Sequence, residues 1–83
     1  MYSIVMLKWW PLYYYFVAVY DLRSKKSIYT NYFEMKGDSE KIRDICFSND
    51  EKYMFIATNK KIEQFQINKN MLIMEKTWPT NIG

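Results

Sequence analysis

Three short apolar runs separated by two polar breaks dominate the stretch Lys41–Asn68. Ile42–Phe47 is closed by Ser48-Asn49-Asp50-Glu51-Lys52, and Tyr53–Thr58 by Asn59-Lys60-Lys61; Ile62–Ile67 is the third run. Runs of this length, rich in Ile, Phe and Tyr and bounded by Asn, Asp and Ser, predict strands joined by hairpins. Upstream, Tyr13–Tyr20 is continuously apolar and does not alternate, as expected of a strand covered on both faces. Left uncovered, the same stretch is aggregation-prone. Downstream, Met71–Trp78 predicts a last strand ended by Pro79, which has no N–H to give to a ladder. Gly37-Asp38-Ser39-Glu40 is the clearest loop.

The pattern repeats. Val17-Ala18-Val19-Tyr20-Asp21-Leu22 has the outline of Ile62-Glu63-Gln64-Phe65-Gln66-Ile67, at an offset of 45 residues (62 − 17, 65 − 20, 67 − 22). The same offset pairs Ile28 with Ile73 and Phe33 with Trp78. A period of about 40–45 residues with four strands is the mark of a propeller blade.

Within that repeat, Ile42-x-x-Ile45-Cys46-Phe47-Ser48-Asn49-Asp50-x-Lys52-Tyr53 followed by Ile62-x-x-Phe65-x-Ile67 resembles strands a, b and c of a WD-repeat blade. Phe65 stands where that family often has Trp, and Gln66 where it often has Asp; the first copy keeps the Asp, as Asp21. The family's hydrogen-bond network through a His in the d–a region has no counterpart, because the chain contains no His. The resemblance implies an all-β fold: four-stranded antiparallel meander blades of a WD-repeat-like β-propeller, incomplete in this chain. Residues 13–22 and 27–34 are then strands c and d of a partial blade assigned to 17–34. Residues 35–41 are a linker, and 42–78 a second blade with strands 42–48, 53–58, 62–67 and 71–78. Residues 79–83 form a tail. Residues 1–16 receive no blade element, and are read as an irregular strand or unmatched start. Ile45, Phe47, Met54, Ile56, Phe65 and Ile67 are expected to be mostly buried in the intact assembly.

Length complicates that picture. Propellers close with 4–8 blades, and 83 residues supply fewer than two. The chain therefore reads as a fragment, a truncated copy, or a subunit that needs a partner to complete its stack. With apolar faces left over, it is expected to self-associate. A second reading is a small membrane-associated protein anchored by residues 1–20. Against it, Lys8 would lie near the bilayer centre, and the Tyr and Trp residues suit an interface better than hydrocarbon.

Charge and chemistry narrow the function. The net charge is +3, and its basic residues are scattered among nine acids, so a nucleic-acid surface is not expected. The single cysteine, Cys46, is expected as a buried reduced thiol. One thiol forms no internal disulfide and, without His, no metal site, which points to an intracellular, cytoplasmic setting. Lacking His and any Gly-rich phosphate loop, the chain is expected to be neither an enzyme nor a cofactor binder. The expectation is a non-catalytic protein–protein interaction scaffold. By the resemblance its docking groups are loop residues: Asn49, Asp50, Glu51 and Lys52; Asn59, Lys60 and Lys61; Lys69 and Asn70.

Overall fold

The computed structural model describes residues 1–9, 13–69 and 71–80, which contain seven strands and no helix. They are β1 (Tyr2–Trp9), β2 (Tyr14–Asp21), β3 (Lys26–Glu34), β4 (Ile42–Phe47), β5 (Tyr53–Thr58), β6 (Lys61–Asn68) and β7 (Met71–Pro79). All neighbours pair antiparallel, in a three-stranded sheet β1-β2-β3 and a four-stranded sheet β4-β5-β6-β7. The chain divides into two compact units, Met1–Ser39 and Glu40–Gly83, each holding one sheet.

In the first unit β2 is central. Val17, Ala18 and Val19 are fully buried although they alternate between the two faces, as the unbroken apolar run predicts. Cross-strand aromatics add to the sheet. Tyr15 stacks on Phe33 directly opposite, with centroids 5.4 Å apart, and Phe16 lies tilted against Tyr32 at 5.1 Å. Such pairs contribute about 0.5–1.5 kcal/mol beyond their burial. Residues 1–16 hold an element that the pattern did not assign: Tyr2–Trp9 pairs along its whole length with β2. Within 1–20, Tyr2–Trp9 is a strand and β2 begins at Tyr14, and no helix among the described residues is long and apolar enough to cross a membrane.

The second unit is the expected meander, with strand bounds within a residue of those read from the pattern. Ile45, Phe47, Met54, Ile56, Phe65 and Ile67 share one face, as the pairings Ile45–Ile56, Phe47–Met54 and Met54–Phe65 require. Within the chain itself Ile45, Met54 and Ile56 are buried, and Phe47, Phe65 and Ile67 are half-buried. The cause is position. Met54 and Ile56 lie on β5, flanked by a strand on each side, whereas Phe47 ends the edge strand β4 and Phe65 faces the exposed Met74 on the edge strand β7. Cys46 corrects the expectation of a buried thiol: its thiol is exposed. It sits opposite Phe55, on the other face from Ile45 and Phe47, and on an edge strand.

The 45-residue repeat is present in the ladders. A register shift falls between Val19 and Tyr20 in the β2–β3 pair and between Gln64 and Phe65 in the β6–β7 pair, 45 residues later. Leu22 donates its N–H to the Met1 carbonyl at 3.0 Å, and Ile67, 45 residues on, donates to Lys52 at 2.8 Å. By their pairings with β2 and β6, Tyr2 corresponds to Tyr53, Ile4 to Phe55 and Val5 to Ile56. So β1-β2-β3 and β5-β6-β7 are two copies of one three-stranded pattern. The last strands differ by two rungs: Phe33 pairs with Tyr15, but Trp78 pairs with Ile62, the counterpart of Val17. The side chains keep their face, because the slip is an even number of residues.

Candidate functional site

The hairpin turns carry the exposed polar groups, and each is built by a short local network. In the β4–β5 turn, Ser48 and Tyr53 close the hairpin, with the Ser48 N–H on the Tyr53 carbonyl at 3.0 Å. Asp50 Oδ1 accepts from the Ser48 hydroxyl at 2.6 Å and from the Lys52 N–H at 3.0 Å. The Ser48 hydrogen bond, and after it the Lys52 amide, hold the Asp50 carboxyl below the ordinary aspartate value. Glu51 takes the left-handed conformation at φ 59°, a turn position that usually goes to Gly or Asn. Asn49 is exposed on the same turn.

Asp21 does the same work in the β2–β3 turn. Its carboxylate accepts from the Arg23 N–H at 3.0 Å and the Ser24 hydroxyl at 3.2 Å, while its carbonyl accepts from Lys25 N–H at 2.8 Å. The Arg23 amide is the main reason that its carboxyl is also held low. This Asx turn ends the ladder at Asp21–Lys26. Its counterpart Gln66 has too long a side chain to fold back in that way. The β6–β7 ladder therefore runs two rungs further, to Asn68–Met71, and turns through Lys69 at φ 49°.

The β5–β6 turn is organised by a buried hydroxyl. Thr58 is 4% exposed, and its Oγ1 accepts from the N–H groups of Lys60 and Lys61, each at 3.1 Å. The same hydroxyl donates to Glu40 Oε2 at 2.8 Å. Lys61 Nζ approaches that carboxylate oxygen at 3.8 Å; half-exposed as it is, this ion pair adds little. Asn59 bonds Lys41 twice, with its N–H on the Lys41 carbonyl at 3.1 Å and its Oδ1 taking the Lys41 N–H at 2.8 Å. Glu40 and Lys41 thus tie the linker to this turn, in the region where the WD-repeat resemblance would place a His.

The expected docking residues therefore divide between the two ends of one sheet. Asn49, Asp50, Glu51, Lys52 and Lys69 lie at one end, because the β4–β5 and β6–β7 turns of a meander share an end. Asn59, Lys60 and Lys61 lie at the other. Asn70 falls outside the described residues. No single surface unites all of them. The pattern reading passed over Arg23, Ser24 and Lys25 as docking groups, although the 45-residue offset carries Lys69 onto Ser24. It also passed over a shallow cleft lined by Tyr13, Tyr14, Glu34 and Lys36, where the Tyr14 hydroxyl donates to Glu34 Oε1 at 3.4 Å. Among the described residues no group of three or more Cys, Asp or Glu side chains could hold a metal ion. Comparison with known proteins finds no family model, no curated protein and no solved structure that matches the chain.

Proposed function

We propose that this chain is a non-catalytic protein–protein interaction module of WD-repeat type, a fragment or truncated copy of a β-propeller. One observation carries the reading: two successive copies of the same strand pattern, with a shared register shift and a shared backbone hydrogen bond 45 residues apart. Stacked, repeated meanders make rigid platforms whose turns are free to vary and to bind. The turn ending in Glu51 and Lys52 and the turn at Lys69 present mixed charge held on short, internally bonded hairpins, which costs little ordering on docking.

The test is cross-linking and mass spectrometry of the chain in cell extract, comparing wild type with two charge-reversed variants. One carries Lys52→Glu with Lys69→Glu, and the other Lys60→Glu. A partner lost in one variant and kept in the other, with the circular dichroism unchanged, is the expected result. Partners retained equally by both would overturn docking through these turns.

A further inference from the structure

One turn holds most of the chain's net charge. Asp21–Lys26 sets three cations, Arg23, Lys25 and Lys26, against the single acid Asp21. The rest of the chain has nine cations and eight acids, so it supplies only +1 of the total +3. The three cationic side chains are exposed, and no ion pair engages them among the described residues. Cations on the other turns have acids at hand: Lys61 approaches Glu40 at 3.8 Å, and Lys52 follows Asp50 and Glu51 on one hairpin.

Turning the chain does not call for these charges. The second copy joins its corresponding strands, β6 and β7, through Asn68, Lys69 and Asn70, with one cation where the first has three. What closes the first turn is Asp21. Its carboxylate takes the Arg23 N–H and the Ser24 hydroxyl, and its carbonyl takes the Lys25 N–H. None of these bonds uses a cationic side chain. Three like charges within four residues repel one another, so they work against the turn rather than for it. Lys25 also stands at φ 59°, where Gly or Asn is usual.

The same bonds decide which kind of anion fits. A lone phosphate is gripped by converging backbone N–H groups, but those of Arg23 and Lys25 are already bonded to Asp21, as is the Ser24 hydroxyl. An anionic membrane calls for about four to eight clustered Lys or Arg, and a nucleic acid for a basic stripe along a face. Three charges on long flexible stems remain. They suit a run of carboxylates on an extended chain, whose alternate residues lie about 7 Å apart.

We propose that the Asp21–Lys26 turn docks an acidic segment of a partner protein, with Arg23, Lys25 and Lys26 each facing a carboxylate. The proposal rests on the interaction-module reading only for the partner being a protein. Arg23 takes its carboxylate through two parallel N–H donors, and Lys25 and Lys26 act as point charges. Exposed pairs of this kind are individually weak and screened by salt. They speed encounter and select the partner more than they tighten the complex.

The experiment titrates the whole chain into a fluorescent hexaglutamate peptide at low salt and follows the anisotropy. Replacing Arg23, Lys25 and Lys26 together by Gln should weaken binding roughly tenfold, the sum of three exposed pairs. Lys8→Gln with Arg43→Gln and Lys76→Gln removes the same net charge from exposed positions elsewhere, and should change affinity less than about twofold. Carbodiimide, which joins a carboxylate to a nearby amine, should couple the peptide to Lys25 and Lys26. Coupling on the wild-type chain needs no variant, so it decides the case even where a triple variant folds poorly. Equal losses in the two triple variants would reduce the effect to net charge and overturn the proposal. Coupling confined to Lys52, Lys60 or Lys69 would overturn it too, and leave the interaction-module reading standing. Oligothymidine or phosphatidylserine vesicles bound more tightly than the peptide, and lost with the same three cations, would overturn both.

Discussion

Thr58 and Glu40 are joined by a 2.8 Å hydrogen bond across eighteen residues of sequence, and the Thr58 hydroxyl also receives two backbone amides of the β5–β6 turn. One buried oxygen therefore holds the turn closed and the linker onto it. Replacing Thr58 by Val keeps the shape and leaves the Lys60 and Lys61 amides without that acceptor. Unfolding by urea should show a loss of about 1–3 kcal/mol, the cost of an unsatisfied buried group. Thr58→Ser, which keeps the hydroxyl, should lose less than half of that.

Burial ranks the apolar face of the second unit differently from residue size. Met54 and Ile56 are wholly buried, whereas Phe65 is half-buried. Ile56→Ala should cost about 2–5 kcal/mol. Phe65→Ala should cost less than Ile56→Ala, despite the larger side chain. Equal or inverted losses in the same denaturation series would mean that this face is covered otherwise than described.

The two turn aspartates give the hairpins a pH dependence of known sign. Asp21 and Asp50 are both held below the ordinary carboxylate value by hydrogen bonds made in the folded turn. A carboxyl lowered on folding stabilises the turn above its unfolded value, and that contribution disappears as pH falls through the folded value. Both side chains lie in solvent, so the effect is local. Proton exchange at the Arg23 and Lys52 amides, followed by NMR, should accelerate beyond its intrinsic trend only at acid pH. Asp50→Asn should remove the inflection at Lys52 and leave that at Arg23.

Exposed apolar side chains lie on edge strands in both units: Ile4, Met6 and Leu7 on β1, and Met71, Ile73, Met74 and Trp78 on β7. Patches of this kind promote association, and a net charge of +3 opposes it weakly. Analytical ultracentrifugation of the purified chain should show species heavier than the 10.2 kDa monomer. Ile73→Lys should shift the distribution toward monomer. A monodisperse wild-type monomer with a sharp thermal transition would contradict the reading.

Most of the second unit was legible in the sequence, because its polar breaks are short and its turn residues, Asn49-Asp50 and Asn59, declare themselves. β1 was not. Its run ends in Trp9, Trp10 and Pro11 rather than in a turn signature, and the WD-repeat template asks for small residues there. What identifies it is the pairing with β2, a tertiary fact. Core membership was half legible for a related reason. Alternation puts Phe47 and Phe65 on the right face, but how much solvent they lose depends on what lies across and beyond them: Phe47 ends an edge strand, and Phe65 faces the exposed Met74. The proposed docking residues are legible as polar loops, while their division between two ends of the sheet follows from topology alone.

The two-rung difference between the β2–β3 and β6–β7 hairpins bears on how such a chain can change over generations. Asp21 starts its turn early and Gln66 does not, yet Phe33 and Trp78 still face the same way. Insertions or deletions that come in pairs slide one strand along its neighbour and leave inside and outside as they were. A single inserted codon in the same place would turn every later side chain over. Turn length at this corner is thus free to drift, but only in even steps.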